Sequence, residues 1–272
     1  MNPNDEKNTQ ALRRLLSIMN ELREKCPWDS QQTLESLRHL TIEETYELSD
    51  AILDGDLEAI KKELGDLMLH IVFYAKIAAE QNAFDIGDII NSLSEKLITR
   101  HPHVFGEVIV KDEAEVKRNW ELLKLTEKGG NPTLLAGVPK SLPALIKAQR
   151  LQDKASGVGF DWQYQEHVWD KVEEEIAEFK ACLDSNTSKV AASLQQEAES
   201  EFGDLLFSLV NYARFIQINP ETALEKTNRK FTKRFNDMEA AARRNNKQWH
   251  ELTMEEMDDY WEEAKKNEGA QS

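Results

Sequence analysis

The stretch Glu63-Leu-Gly-Asp-Leu-Met-Leu-His-Ile-Val-Phe-Tyr-Ala-Lys76 occurs a second time in the chain, as Glu201-Phe-Gly-Asp-Leu-Leu-Phe-Ser-Leu-Val-Asn-Tyr-Ala-Arg214. Seven of the fourteen positions are identical, and most of the others are similar. In each copy two acids stand three residues apart at the start of an apolar run, a spacing that puts both on one face of a helix. The repeat predicts that the chain consists of two duplicated helical units.

A further acid motif precedes each copy: Glu43-Glu44-x-x-Glu47 in the first half and Glu174-Glu175-x-x-Glu178 in the second. A lone motif of this kind is usually a solvated helix face. Here the following segments are apolar around nearly the whole helix, which predicts that Asp66 and Asp204 face an interior or a cleft. Buried acids must be paired or bound to metal, so the doubled pattern favours a functional site in each half.

Length and charge exclude several classes of protein. The 272 residues, 40% of them hydrophobic, are enough for two cores, and the net charge of −16 makes nucleic-acid binding improbable. The apolar runs are shorter than a membrane span and the N-terminus is polar, so we expect no membrane partner and a cytoplasmic location. The two cysteines, Cys26 and Cys182, are predicted to be reduced thiols.

The predicted fold class is all-α, because Leu, Ala, Glu and Lys are abundant and Gly and Pro are nearly absent from the apolar-periodic segments. Helices are predicted near residues 8–24, 30–53, 57–81, 86–99, 116–125, 144–154, 164–184, 190–217, 220–246 and 253–265. Asn219-Pro220 is typical of a helix start, and Thr253-x-x-Glu256 of a capping box. We predict one helical-bundle domain at 1–125, a Pro/Gly-rich linker at 126–160 and a second, duplicated bundle at 161–272.

The acids predict a divalent cation. Converging carboxylates repel one another and take up protons unless a cation is present. A ligand set made only of oxygen suits Mg²⁺, with Mn²⁺ as the alternative. A ferritin-like di-iron site is the rival on a helical bundle, but it uses Glu-x-x-His pairs, which this chain lacks. His70, four residues after Asp66, is predicted to be a core residue or a support for the acids.

Positive side chains are placed to bind phosphate beside these acids. Lys230 and Arg234 lie one helical turn apart, and Lys96 and Arg100 form the same pair in the first half. Lys171 precedes Glu175 by four residues and is predicted to point toward the same place. The alternative for such lysines is a set of surface ion pairs.

The chain resembles the MazG nucleoside triphosphate pyrophosphohydrolases of the all-α pyrophosphohydrolase superfamily, in their full-length, two-domain form. The resemblance rests on Cys26-Pro27-Trp28-Asp29, Gly137-Val138-Pro139 and Val158-Gly159-Phe160-Asp161-Trp162, and extends from about residue 8 to 266. It implies Mg²⁺-dependent hydrolysis of (d)NTPs between the α and β phosphates, which gives a nucleoside monophosphate and inorganic diphosphate. It also implies a homodimer, and a role in removing unwanted nucleotides or tuning the stress response.

The resemblance further implies roles for individual residues. The metal ligands would be Glu175, Glu178, Glu201 and Asp204, and Glu174 or Glu175 would be the general base. Contacts to the nucleoside triphosphate would fall to Lys171, Asn228, Lys230, Arg234 and Trp261. A second site would lie in the first half, at Glu44, Glu47, Glu63, Asp66, Lys96 and Arg100.

The second half is expected to be the main catalytic unit, because the first half differs at several positions. Where the second half has Lys171 and Asn228, the first has Leu40 and Ser94, and it lacks a counterpart of Trp261. Relatives often have a basic residue just ahead of the second acid motif; this chain has Lys61-Lys62 there in the first half and acids in the second.

The alternative function is a non-catalytic helical interaction protein of a stress-response system, in which both acid sets are structural. A regulatory protein partner is compatible with either function. Diphosphate release from mixed nucleoside triphosphates distinguishes the two, because a binding protein releases none.

Overall fold

The computed structural model describes residues 3–126, 133–183, 189–190 and 192–269. Over these ranges the chain is all-α, with eleven α-helices and a lone antiparallel bridge between Leu183 and Val190 as its extended structure. It divides into two compact units, Met1–Ile109 and Val110–Ser272. None of the helices in the described ranges is both long and apolar enough to cross a lipid bilayer.

From residue 3 onward, the first unit contains five helices: α1 (Pro3–Lys25), α2 (Leu34–Asp54), α3 (Leu57–Glu80), α4 (Ile86–Arg100) and α5 (Pro102–Phe105). Helices α1, α2 and α3 meet in a core built on Met19, Leu37, Val72, Phe73 and Ile77. The tight connection between α2 and α3 makes these helices antiparallel neighbours. Helix α2 therefore presents its acids to the start of α3.

Only one face of α3 is buried, contrary to the expectation from its apolar sequence. Leu64, Met68 and Ile71 form an exposed row on the other face, and Asp66 is half-buried. In the second unit Asp204 is exposed, and Phe202, Leu206 and Leu209 occupy the equivalent exposed positions. The prediction was that both aspartates face an interior or a cleft; in the single chain neither is fully buried, and Asp204 is exposed.

The described part of the second unit contains six helices: α6 (Glu113–Thr126), α7 (Ala144–Gly157), α8 (Gln165–Ala181), α9 (Gln195–Phe215), α10 (Pro220–Arg244) and α11 (Met254–Gly269). Aromatic pairs join α8 to α9, with ring centroids 4.8 Å apart for Trp169 and Tyr212 and 5.4 Å for Phe179 and Phe202. Helices α8 and α9 also carry four buried small or aliphatic residues: Val168, Val172, Ala198 and Val210. Helices α8 and α9 thus repeat the arrangement of α2 and α3.

Both predicted helix starts in the second unit are confirmed by their hydrogen bonds. The Thr222 N–H donates to Asn219 Oδ1 at 2.8 Å, which caps α10. Before α11, the Glu256 N–H donates to Thr253 Oγ1 and the Thr253 N–H donates to Glu256 Oε2, the two bonds of a capping box. Both signals could be predicted because they depend on neighbours within one turn.

A buried ionic cluster joins α6 to α7. Glu121 accepts from Lys154 Nζ at 3.0 Å, Lys124 Nζ at 2.6 Å and Arg150 Nη2 at 3.0 Å, and Lys154 is only 3% exposed. Burial by itself would raise the pKa of Glu121, but the three cations outweigh it and lower the pKa to about 2. Glu121 therefore stays ionised and balances a buried ammonium.

Candidate metal centre

The turn between α2 and α3 places the acids of α2 beside the acids at the start of α3. Gly55 closes α2 with a left-handed φ of 69°, and Asp56 caps α3 by accepting from the Glu58 and Ala59 N–H groups. Glu47 and Glu63 are each eight residues from Gly55, on opposite sides of the turn. In an antiparallel helical hairpin, residues equally far from the turn lie side by side, so the spacing of the acids positions them.

The first acid set converges as predicted. One carboxylate oxygen from each of Glu44, Glu47 and Glu63 lies within 4.8 Å of the other two. Burial raises the pKa of Glu44, and the charges of Asp66, Glu47 and Glu63 raise it further. Glu63 is buried, and its Oε2 atom has no hydrogen-bond partner. These four residues form a crowded negative site with one unsatisfied oxygen.

Lys62 contacts three acids of this set. Its Nζ lies 2.9 Å from Glu63 Oε1, 3.7 Å from Asp66 Oδ2 and 4.0 Å from Glu47 Oε2. The hydrogen bond to Glu63 raises the pKa of Lys62. The sequence shows the lysine, but its pairing with acids from two helices could be recognised only in the folded hairpin.

The second acid set converges in the same way on α8 and α9. Oxygens of Glu175, Glu178 and Glu201 lie within 4.8 Å of one another. Burial raises the pKa of Glu201, and the neighbouring charges of Glu178, Asp204 and Glu175 add to the effect. Glu175 is buried, and the other acids are more exposed. The charges of the other three predicted ligands therefore act on Glu201.

Both sets suit a small divalent cation. Two oxygens on opposite sides of Mg²⁺ are about 4.2 Å apart, twice the Mg–O distance, so oxygens within 4.8 Å need only small rotations to become ligands. The donors are carboxylates alone, which favours Mg²⁺ or Mn²⁺ over softer metals. A bound cation would give Glu63 Oε2 a partner in the first set. In the second set it would counter the burial and the neighbouring negative charges that raise the pKa of Glu201.

Lys171 lies at the edge of the second set, where the sequence predicts it. Its Nζ is 2.7 Å from Glu175 Oε1 and 2.9 Å from Glu174 Oε1. These hydrogen bonds, to Glu175 first, raise the pKa of Lys171 above its ordinary value. An ammonium that remains charged at this position can contact a phosphate oxygen that enters beside Glu175.

The other predicted nucleotide contacts lie on α10 and α11. The Arg234 guanidinium stands over the Trp261 ring, 5.7 Å from its centroid, and Phe231 packs against the same ring at 5.3 Å. Lys230 and Asn228 are exposed on α10, where Asn228 Nδ2 donates to Glu225 Oε2 at 3.4 Å. The structure thus joins Arg234 to Trp261, whereas Lys171 contacts the acids Glu174 and Glu175 on α8.

His70 belongs to the core beside the first set. It is buried, and its Nδ1 lies 2.7 Å from Thr41 Oγ1, which in turn is 2.6 Å from the Tyr74 hydroxyl. Burial lowers the pKa of His70, and the charge of Asp66 opposes this only in part. A neutral ring held by Thr41 supports the α2–α3 contact. Sequence reasoning missed Thr41, because no local pattern links residues on different helices.

Comparison with protein families matches residues 32–105 to the MazG nucleotide pyrophosphohydrolase domain. These residues include the whole first acid set and the α2–α3 hairpin that carries it. The matched segment lies within the first compact unit.

Two relatives match nearly the full length of the chain. The Thermotoga maritima nucleoside triphosphate pyrophosphohydrolase/pyrophosphatase MazG is 46% identical over 92% of this chain and 94% of its own. The Escherichia coli nucleoside triphosphate pyrophosphohydrolase is 40% identical over 94% of this chain and 97% of its own. A crystal structure of a mazG-related protein from Thermotoga maritima covers 41% of this chain and 97% of its own at 28% identity and a TM-score of 0.37, too low to add to the description of the fold.

Proposed function

This chain belongs to the MazG family of nucleotide pyrophosphohydrolases, and we propose that it hydrolyses (d)NTPs to the nucleoside monophosphate and inorganic diphosphate. The observation that carries the proposal is the convergence of Glu175, Glu178 and Glu201 beside the Lys171 ammonium. The Thermotoga maritima and Escherichia coli relatives are named for this activity. The proposed role is removal of unwanted nucleotides or adjustment of nucleotide levels under stress.

The proposed cofactor is Mg²⁺, with Mn²⁺ as a substitute, held by Glu175, Glu178, Glu201 and Asp204. When bound, it would neutralise the α and β phosphates and lower the pKa of the attacking water. The chemistry of the donor set supports this choice, since carboxylate oxygens are the ligands that these ions prefer.

The general base is proposed to be Glu174 or Glu175. Glu175 is buried and contributes to the convergent oxygens, whereas Glu174 is exposed at their edge. Lys171 Nζ donates a hydrogen bond to Glu174 Oε1. The other oxygen, Oε2, is left to accept a proton from the water that attacks the α phosphorus. Glu174 is therefore the stronger candidate of the two.

The nucleotide contacts follow from charge and ring geometry. We propose that Lys171, Lys230 and Arg234 bind the phosphates, that Asn228 contacts the sugar and that the base stacks on Trp261. The Arg234–Trp261 contact supports part of this assignment, because it places a guanidinium and an aromatic face together at one side of α10.

The first half is proposed to hold a second site, formed by Glu44, Glu47, Glu63, Asp66, Lys96 and Arg100. Its convergent oxygens and the family match over residues 32–105 support this. The domain plan of bundles at 1–125 and 161–272 around a linker at 126–160 remains a proposal, as does the main catalytic role of the second bundle.

A homodimer is proposed from the exposed apolar residues. The row on α3 has the same positions as the row on α9 in the repeat, and exposed apolar residues follow on α4 and α10: Ile90, Leu93, Leu97, Leu224 and Phe231. Monomeric proteins rarely expose large contiguous apolar patches, and contact with a second copy would remove these side chains from water. A regulatory protein is the alternative occupant.

Hydrolysis in ¹⁸O-labelled water tests the proposed reaction. Attack at the α phosphorus puts the label in the nucleoside monophosphate, and attack at the β phosphorus puts it in the diphosphate. We expect labelled monophosphate that depends on Mg²⁺ and disappears with EDTA. A chain that forms neither product with any of several nucleotides would be the interaction protein instead.

A further inference from the structure

Lys62 makes the first acid set different from the second. It lies on α3, directly before Glu63, and its ammonium pairs with Glu63 and Asp66 on its own helix and Glu47 on α2. An ammonium in contact with acids of both helices occupies the region where a divalent cation would bind. It supplies part of the positive charge that the acids require.

Within the described ranges, the second set has no lysine that pairs with acids of both helices. The residue that aligns with Lys62 is Ser200, which cannot supply charge. Lys171 pairs with Glu174 and Glu175, both on its own helix. Lys62 thus contacts three of the four acids of the first set, whereas Lys171 contacts one of the four predicted ligands of the second, Glu175.

We propose that Lys62 is a built-in competitor for divalent cations at the first acid set, so that this set binds metal more weakly and fills after the second. The proposal rests on the proposed function of both sets as cation sites. It makes Lys62 the residue that sets the order in which the two halves take up metal.

Two observations indicate that the first set is weakened and not abolished. The Lys62 side chain is 66% exposed, so it can swing into solvent when a cation arrives, and exposed ion pairs are weak. Glu63 Oε2 is buried without a partner even while Lys62 occupies Oε1. A buried carboxylate oxygen without a hydrogen bond is unfavourable, and a cation bound to that oxygen would stabilise it even while Lys62 contacts the other one.

Calorimetric titration with Mn²⁺ tests the proposal on the full chain with Glu178→Gln and Glu201→Gln, which remove two ligands of the second set. Into this background we introduce Lys62→Ser, the residue found at the aligned position. The matched control is Lys61→Ser, because Lys61 is an exposed neighbour that pairs with Glu58. Circular dichroism melting verifies that each variant is folded.

We expect Lys62→Ser to raise the Mn²⁺ association constant by roughly five- to tenfold, the effect of removing a few exposed ion pairs, and Lys61→Ser to leave it unchanged. Adding Glu63→Gln to Lys62→Ser should abolish the gain, which locates it at the first set. Equal affinities in the two serine variants, weaker binding in Lys62→Ser, or no binding in any of them would overturn the proposal. Diphosphate release by the chain with Glu178 and Glu201 intact reports separately on the proposed function.

Discussion

Lys171 Nζ lies 2.7 Å from Glu175 Oε1, one turn further along α8. This contact fixes a charged ammonium at the edge of the convergent acids, and its pKa is raised by the same hydrogen bond. The two residues thus place a phosphate-binding cation next to a metal-binding anion, on the same rigid helix.

Replacing Lys171 with Met should lower kcat/KM for nucleoside triphosphates by about 10- to 100-fold, the effect of losing a charge-assisted hydrogen bond. Lys180→Met on the same helix is the matched control, because Lys180 is exposed in the last turn of α8. Steady-state kinetics of diphosphate release measures both variants. Equal losses in the two would mean that the charge of the whole surface matters and not this contact.

Trp261→Ala should raise KM about tenfold or more and change kcat little, since stacking of one base on an aromatic ring contributes roughly 1–3 kcal/mol. Trp261→Phe should retain most of the affinity, because it keeps an aromatic face beside Arg234. Trp28→Ala, an exposed tryptophan in the first unit, serves as control. A large drop in kcat for Trp261→Ala would point to a structural role against Phe231.

Glu121→Gln should lower the free energy of unfolding by about 3 kcal/mol at pH 7, because it leaves the buried Lys154 without its carboxylate. The folded-state pKa of about 2 lies below the ordinary 4.5, so this stability is complete above pH 4.5 and is lost as the pH falls toward 2. Urea unfolding of both proteins across this range should show the difference shrinking. A difference that stays constant down to pH 2 would contradict the assignment.

Leu206→Glu and Met68→Glu should each shift the chain from dimer to monomer, because a carboxylate would have to be buried in the apolar rows of α9 and α3. Leu57→Glu is the control, since Leu57 is 77% exposed at the first position of α3 and lies outside the row. Sedimentation equilibrium gives the masses. A wild-type monomer would exclude the homodimer.

The sequence was sufficient to predict ten of the eleven α-helices in the described ranges, two of their caps and the acids that converge, because those depend on spacing within a helix and on the repeat; the short α5 was not predicted. The Asn219 cap and the Thr253–Glu256 box were predicted to the residue. Glu47 and Glu63 could be paired because the Asp54-Gly55-Asp56 turn between them is short.

Features that depend on contact between helices could not be predicted. The apolar sequence of α3 indicated full burial, but the exposed row at Leu64, Met68 and Ile71 shows that hydrophobicity alone does not tell a core face from an interface. The pairing of Lys62 with Glu47 and the Glu121 cluster each join residues on separate helices. No local spacing signals such contacts.

The most direct measurement of the central claim compares diphosphate release by two full-length double variants, Glu175→Gln with Glu201→Gln and Glu44→Gln with Glu63→Gln, at saturating Mg²⁺ and nucleotide. These substitutions keep the shape of each side chain and remove the charge from one acid set at a time. We predict that the first pair lowers kcat by more than about 100-fold, as expected when metal ligands are lost, while the second retains most of the activity. Full activity in the first pair, or its loss in the second pair alone, would contradict the account.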